Sequence, residues 1–322
     1  MEVKLVLLTG ASGFIGTRVQ SLLLNHGYHL RILTRKPDMR LSSIDCIVGD
    51  LTDALVCRRA MENVNIVIHA AGVKRDATRF SMVNVLGTEN LLAAAVWERV
   101  ERFVHISSVG VIGADPLKSK VFSEDIPCKP RNEYERSKWE AEKLVQRAAT
   151  KGLRVAILRP ANVFGDGDPE QGLLRLIRSV KNGRFVYLGG RFAICNYVFV
   201  DDVAEACVTL AEHPTAVGHT YNLSDDCTLG EFVNALADEL EVARPRYQLP
   251  RSLSILIRTG LRALRGFPNV SKVSTIPRLI SLNNQARFTT TRLVDELGFN
   301  CPVGWCEGLS RVVRWYRSQG ML

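Results

Sequence analysis

Two hydrophobic periods alternate along the first half of the chain. Short apolar runs rich in β-branched residues occur at Lys4–Thr9, Leu30–Thr34, Asp45–Val48, Asn65–His69, Arg102–Ser107 and Arg154–Leu158; their length and composition predict strands. Between several of them, Ile15–Leu24, Met82–Val96 and Glu133–Ala148 carry apolar residues at three- and four-residue spacing, which predicts helices. Strands separated by helices are joined by crossovers, so they lie parallel, and the expected fold class is α/β with a doubly wound sheet covered on both faces. Beyond Gly165 the pattern loosens into the turn-rich pieces GDGDPEQG, KNG and LGG, then a strand is predicted at Tyr197–Val200 and a helix from Asp201 or Asp202. The expected division is a nucleotide-type domain over residues 1–165 and mainly a smaller domain over 166–322, with about 197–222 returning to the first sheet. Arg251–Arg265 interleaves Leu253, Leu256, Ile257, Leu261 and Leu264 with Arg258, Arg262 and Arg265, a basic amphipathic helix expected to cover the substrate cleft. Docking on an anionic membrane is its alternative role.

Composition narrows the class. Of 322 residues, 23% are charged and 46% hydrophobic, ordinary for a folded domain pair, and no apolar run approaches the about 18 residues a membrane span needs. The opening MEVKLVLLTG runs directly into a strand, so no signal peptide and a cytoplasmic location are expected. Eight cysteines are scattered without a C-x-x-C pair or a histidine cluster, which predicts free thiols and no metal site. The net charge of +9 is concentrated from Arg244 onward, where thirteen Lys and Arg face only Asp295, Glu296 and Glu307. Such a segment suits an anionic small-molecule substrate, or arginines solvating a helical surface; neither nucleic acid nor, as a rule, membrane is the expected partner.

The chemistry begins at Val6–Gly16, VLLTGASGFIG. Glycines at 10, 13 and 16 directly after a strand and opening a helix give backbone a close approach to a pyrophosphate: Gly10 for the turn, Gly13 for the approach, Gly16 for helix packing. Ser12, Phe14 and Ile15 share that turn, where free N–H groups attract phosphate. The second strand ends in Arg35 and Lys36 rather than an acid, which favours the 2′-phosphate of NADP over NAD, with NAD kept possible. Further on, Asn132 and Glu135 have the spacing of a capping box, and Tyr134 and Lys138 fall one helical turn apart. An ammonium and a helix N-terminus beside a phenol favour the phenolate, a proton shuttle, and the strand ending at Ser107-Ser108 supplies a second hydroxyl at the ligand-binding edge of such a sheet.

With TGASGFIG, GDLTD at 49–53, HAAG at 69–72, NVLGTENLL at 84–92, ISSVGVIG at 106–113, YERSK at 134–138 and RPANVFG at 159–165, nearly the whole chain resembles an extended short-chain dehydrogenase/reductase. That superfamily comprises nucleotide-sugar epimerases and dehydratases with their sterol-dehydrogenase and flavonoid-reductase relatives. The resemblance implies a Rossmann-type cofactor domain followed by a smaller C-terminal substrate-binding domain. It implies Ser108, Tyr134 and Lys138 as catalytic residues, with Lys138 also on the nicotinamide ribose, Asp50 and Leu51 at the adenine, and Ala70, Ala71 and Gly72 at ribose and phosphates. Pro160 and Val163 join the cofactor site by the same resemblance, and Asn162, Arg191 and Asn196 the substrate site. A homodimer through helices of the sheet domain is also implied.

Hydride transfer at a ring hydroxyl or keto carbon of a nucleotide-activated sugar is therefore the expected reaction, by reduction or 4-epimerisation. Dehydratases resemble one another in an Asp-Glu pair after the catalytic hydroxyl; here Val109 and Gly110 follow Ser108. Sugar-nucleotide 4-epimerases resemble one another in an arginine where this chain has Cys195, a diphosphate clamp that Arg191, Arg278 or Arg287 would have to replace. The tail IPRLISLNNQARFTTTRLVDELGF resembles the sterol-dehydrogenase and flavonoid-reductase branch, so an apolar hydroxy or keto substrate is the alternative. A non-catalytic NADP-binding regulator is the alternative of another class, which the complete Ser-Tyr-Lys set opposes.

Overall fold

The computed structural model describes residues 3–36, 44–188, 190–249 and 284–322. Its first half alternates β1 (Leu5–Thr9), α1 (Phe14–Asn25), β2 (His29–Thr34), β3 (Asp45–Val48), α2 (Ala54–Met61), β4 (Ile66–His69), α3 (Gly87–Trp97), β5 (Arg102–Ile106), β6 (Lys120–Phe122), α4 (Glu133–Ala149) and β7 (Val155–Pro160). The remainder comprises β8 (Asn162–Phe164), α5 (Gly172–Lys181), β9 (Tyr187–Leu188), β10 (Ile194–Phe199), α6 (Val200–Glu212), β11 (Thr220–Leu223), β12 (Asp225–Thr228), α7 (Leu229–Glu239), β13 (Gln248–Leu249), β14 (Ala286–Phe288), α8 (Thr291–Leu297) and α9 (Gly304–Ser318).

Seven strands form one sheet in the order β11-β7-β5-β4-β1-β2-β3, every neighbour parallel. The side-chain period of two divides each strand between two cores. Val6 and Leu8, Val104 and Ile106, and Ala156 and Leu158 face one apolar cluster with Val19 of α1 and Val203 of α6. Leu7, Phe103, Val155 and Ile157 face the other, with Met61 of α2, Leu91 of α3 and Val145 of α4. Burial on both faces explains why these strands read as continuous apolar runs, and each such side chain contributes roughly 1.5–3 kcal/mol. The doubly wound parallel fold expected from the periodicity is thus the one observed.

A second sheet, β12-β10-β8, is mixed: β10 runs antiparallel to β12 and parallel to β8. It packs with α5, α7 and α9 around Phe164, Ile177, Phe232 and Val313. β11 then pairs with β7 at the edge of the large sheet. The pair β6 and β14 brings residues 286–288 beside 120–122, against Val109, Val111 and Ile112 of the turn after β5.

Local expectations are corrected at two helix starts. Asn132 Oδ1 accepts from Glu135 N at 2.9 Å, but the Glu135 carboxylate reaches back to Arg131 N at 2.6 Å rather than to the cap residue, so α4 has half a capping box. α6 starts at Val200, one residue before the expected aspartates. Asp202 is fully buried and accepts from Val303 N at 2.8 Å and Gly304 N at 3.0 Å, tying α6 to the start of α9. All eight cysteines are free thiols; Cys57, Cys207 and Cys227 are buried and Cys306 is exposed. The basic helix expected at Arg251–Arg265, and Arg278, lie outside the described residues. Among the described residues no helix is long and apolar enough to cross a membrane, and no group of three or more His, Cys, Asp or Glu could hold a metal.

Candidate active site

The glycine turn connects β1 to α1. Gly10 has φ +74°, and a Cβ there would stand 2.6 Å from Ala71 N, so glycine lets the end of β1 touch the end of β4. Ala70 N donates to Thr9 O at 3.2 Å and Ala71 N to Thr9 Oγ1 at 3.3 Å, fixing the two strand ends together. A Cβ on Gly16 would overlap the Gly10 carbonyl, so the helix packs on the turn's own backbone. Gly13 differs: its added Cβ meets only Gly10 O, at 3.1 Å, and otherwise faces open space.

No side chain caps α1 at Gly13. A cavity of about 330 Å³ opens there, lined by Ser12, Gly13, Phe14, Thr17, Arg18 and, from the loop after β8, Asp166, Gly167 and Pro169. Arg18 holds that loop by donating to Asp166 O at 2.9 Å and pairing with its carboxylate at 2.5 Å. An uncapped helix N-terminus facing a cavity through a side-chain-free position suits a dinucleotide pyrophosphate, since donor N–H groups and the helix dipole both favour phosphate. The residues present therefore fit the nicotinamide dinucleotide that the sequence implies.

Arg35 and Lys36 are exposed after β2. The Asp50 carboxylate accepts from Thr52 N and Thr52 Oγ1, both at 3.0 Å, and those bonds, with the charges of Arg35 and Arg79, hold it below the usual carboxylate range. Leu51 beside it is buried under the sheet.

The candidate proton-handling residues are Ser108, just after β5, and Tyr134 and Lys138 in the first turns of α4. Ser108 Oγ accepts from Gly110 N at 3.1 Å and caps the short helical turn Val109–Ile112, leaving its own proton available. A Cβ on Gly110 would stand 3.3 Å from Ser108 Oγ and 3.1 Å from Glu135 Cγ, so the Ser108 turn rests on the first turn of α4. Lys138, one turn further, is 5% exposed and its Nζ donates to Ile106 O at 2.5 Å. Burial pushes its ammonium down to about 8, against the pull of Glu142. A Cβ on Gly72 would lie 3.9 Å from that Nζ, which places the Ala70–Gly72 backbone beside it.

Tyr134 packs edge-to-face on Phe80 at 5.9 Å. Here an expectation is corrected. Burial pushes the phenol up to about 12, with the carboxylates of Glu135 and Glu170 adding to it, and the Lys138 ammonium is engaged by the Ile106 carbonyl. The resting group is a phenol and not a phenolate.

Several residues with a part in this geometry were not singled out by the pattern. The predicted helix from Met82 is a π-helix over Phe80–Leu86 followed by α3. That wider turn sets Phe80 against Tyr134 and buries Asn84, whose Oδ1 accepts from Val73 N at 2.7 Å. Asn84 Nδ2 donates to Val73 O at 3.0 Å and Ser137 Oγ at 2.9 Å, tying the loop after β4 to α4. Paired in register on β4 and β5, His69 and His105 lie with ring centroids 5.3 Å apart. Burial pushes His69 down to about 3 and His105 well below its ordinary value, helped by the nearby Lys138 charge, so both are neutral. Beneath α4, Arg159 meets Glu142 through contacts of 2.6, 3.0 and 3.2 Å, both side chains buried.

The substrate-side candidates are distributed unevenly. Asn162 is exposed on β8, opposite Tyr197. Pro160 ends β7 and is buried, while Val163 packs between the two cores. Arg191 and Asn196 each have a donor already engaged, while Asn196 Oδ1 is buried without a partner. Arg191 lies over the Tyr187 ring at 5.0 Å and donates to Pro245 O at 3.1 Å, and Asn196 donates to Ala286 O at 2.8 Å from a buried position. Arg287 pairs with Asp226 at 2.7 Å.

Comparison with known proteins agrees with this arrangement. The model of the NAD dependent epimerase/dehydratase family matches residues 6–224. The chain is 30% identical to sterol demethylase protein B of Methylococcus capsulatus, over 98% of this chain and 99% of that one. It is 32% identical to UDP-glucose 4-epimerase of Vibrio cholerae, over 77% and 78%. The solved structure of MoeE5 in complex with UDP-glucose and NAD superposes with a TM-score of 0.72 at 26% identity, covering 98% of this chain and 99% of the other. A glycine turn open to a pyrophosphate, a Tyr-Lys helix beside it and a family match across two thirds of the sequence lead to one conclusion: the chain belongs to the NAD dependent epimerase/dehydratase family and is an enzyme of the extended short-chain dehydrogenase/reductase type.

Proposed function

We propose that this enzyme uses NADP to transfer hydride at a ring carbon bearing a hydroxyl or keto group, on a nucleotide-activated sugar, with Tyr134 exchanging the proton of the substrate oxygen. The observation that supports the reading is Lys138 Nζ bonded to Ile106 O at the end of β5 and close to Gly72, with Ser108 two residues after that strand and Tyr134 one turn before Lys138 on α4. Bound nicotinamide supplies the hydride donor or acceptor.

The chain's own residues then have separate tasks. Gly13 and the N–H groups opening α1 bind the pyrophosphate, and Arg35 with Lys36 meets the 2′-phosphate, where a guanidinium matches phosphate oxygens. Lys138 Nζ, anchored on Ile106 O, presents its remaining protons toward the nicotinamide ribose. Tyr134, held as a phenol by burial, is a proton donor at neutral pH, the state that reduction of a carbonyl requires. Ser108 donates to the same oxygen while its lone pair is occupied by Gly110 N. Asn162, exposed on β8, is the residue offered to the diphosphate.

A second reading, an apolar hydroxy or keto substrate, is favoured by one specific set of contacts. With Cys195 in place of an arginine, Arg191 and Arg287 already engaged, and Arg278 outside the described residues, the described residues supply no evident clamp for a diphosphate. The similarity to a sterol demethylase protein supports the same alternative. The test is direct: mix the purified enzyme with NADPH and 4-keto nucleotide sugars, and with 4-hydroxy ones, and follow nicotinamide absorbance and epimer formation. Turnover supports the sugar reading. Failure there with oxidation of NADPH by apolar ketones supports the alternative, and tighter binding of NADH than of NADPH overturns the cofactor assignment.

A further inference from the structure

Strand β10 pairs with β12 in a register that sets Cys195 directly opposite Cys227. Among the strand pairs of the described residues, this is the one place where cysteine faces cysteine. Opposed residues of an antiparallel pair point to the same face, and both thiols face the cluster that holds Phe164 and Phe232. Both are free, Cys227 is 5% exposed and Cys195 is half-buried, so one sulfur is sheltered and the other is the entry point. The neighbouring Cys195 thiol, with burial, pushes Cys227 strongly up.

We propose that Cys195 and Cys227 form a reversible modification site: in the folded protein a peroxide converts the two thiols to an intrachain disulfide across β10 and β12. Directly opposed residues have Cα atoms about 4.5–5.5 Å apart, inside the about 4.4–6.8 Å that disulfides span, so the strands need little movement. The step balances as follows. The Cys195 thiolate attacks the peroxide O–O bond, giving a sulfenic acid on Cys195 and releasing the other oxygen as water after protonation. The Cys227 sulfur then attacks the Cys195 sulfur, its proton leaves with the hydroxyl as water, and the S–S bond forms; two thiols lose two electrons and peroxide is reduced to two waters. The register that sets the two residues directly opposite each other places the second sulfur in reach of the first. Both strands belong to the sheet that carries Asn162, not to the seven-stranded sheet.

The experiment treats the reduced full chain with stoichiometric hydrogen peroxide in native buffer, traps thiols with an alkylating agent, and identifies linked peptides by mass spectrometry without reduction. The expected result is a 195–227 linked pair, with thiols titrated after denaturation falling from eight to six, near-UV circular dichroism retained, and full recovery with dithiothreitol. Cys195→Ser should abolish the link and leave Cys227 unmodified. The proposal is overturned if all eight thiols survive, if peroxide consumes only the exposed Cys306, or if the linked pair forms only in urea.

Discussion

Replacing Glu142 by Gln would leave the Arg159 guanidinium buried without its counter-ion. Glu142 is fully buried on α4 and Arg159 is 3% exposed on β7, and the pair meets through three oxygen–nitrogen contacts of 2.6–3.2 Å. Burial alone works against that guanidinium, and the Glu142 hydrogen bonds and charge outweigh it. Its Nη1 has no partner, and Nη2 has otherwise only the Cys128 sulfur at 3.3 Å, so the loss cannot be made good nearby. Breaking one side of a buried pair costs about 3–5 kcal/mol. At roughly 2–3 °C per kcal/mol for a chain of this size, Tm should fall by roughly 6–15 °C. The assay is urea unfolding and a thermal melt of Glu142→Gln, alongside the double variant Glu142→Leu with Arg159→Met. An apolar pair of similar volume removes both desolvation costs, so the double variant should recover most of the loss. A single variant within about 1 kcal/mol of the parent, or a double variant as unstable as the single one, would refute the reasoning.

Two further outcomes follow from the site. Because the Lys138 ammonium is depressed to about 8 from 10.5, the unfolded chain binds the extra proton across that window, and stability from this group rises with pH between those values, by up to about 1.4 kcal/mol per pH unit. Urea unfolding at pH 8 and pH 10 should therefore show the parent gaining roughly 2 kcal/mol relative to Lys138→Met, and a flat or falling difference contradicts it. The glycines should separate binding from folding. Gly13→Ala meets only Gly10 O, at 3.1 Å, and should weaken dinucleotide binding about tenfold or more with a melt lowered less than in Gly16→Ala, which collides with Gly10 O and should cost about 1–3 kcal/mol of stability. Equal melts with equal affinities would remove the distinction.

The sheet was legible because strands buried on both faces leave continuous apolar runs and the covering helices leave a 3.6-residue period; Leu7 and Leu8, on adjacent positions, are both fully buried for that reason. The glycine turn and the Tyr134–Lys138 spacing were legible because each depends on residue type at fixed sequence separation. What was not legible depends on who meets whom across the fold. Asn84 reads as a polar interruption of an apolar helix until the π-helix turns it toward Val73 and Ser137. The Ile106 carbonyl that engages Lys138 has no sequence signature at all. The resemblance implied Arg191 and Asn196, but Pro245, Tyr187 and Ala286 engage their donor groups from positions 54, 4 and 90 residues away in sequence. The half-formed cap at Asn132 is a similar case, since the spacing fixes which residues can bond and not which backbone N–H the carboxylate chooses.

The central claim is that the Tyr134 hydroxyl moves the proton while the glycine turn, with Arg35, Lys36 and Lys138, holds the dinucleotide without it. Isothermal calorimetry of NADPH binding, paired with turnover on an accepted substrate, tests it in Tyr134→Phe. The account predicts turnover reduced by about 100-fold or more, with NADPH affinity within about threefold of the parent. Retained turnover, or loss of dinucleotide binding along with it, would contradict the account.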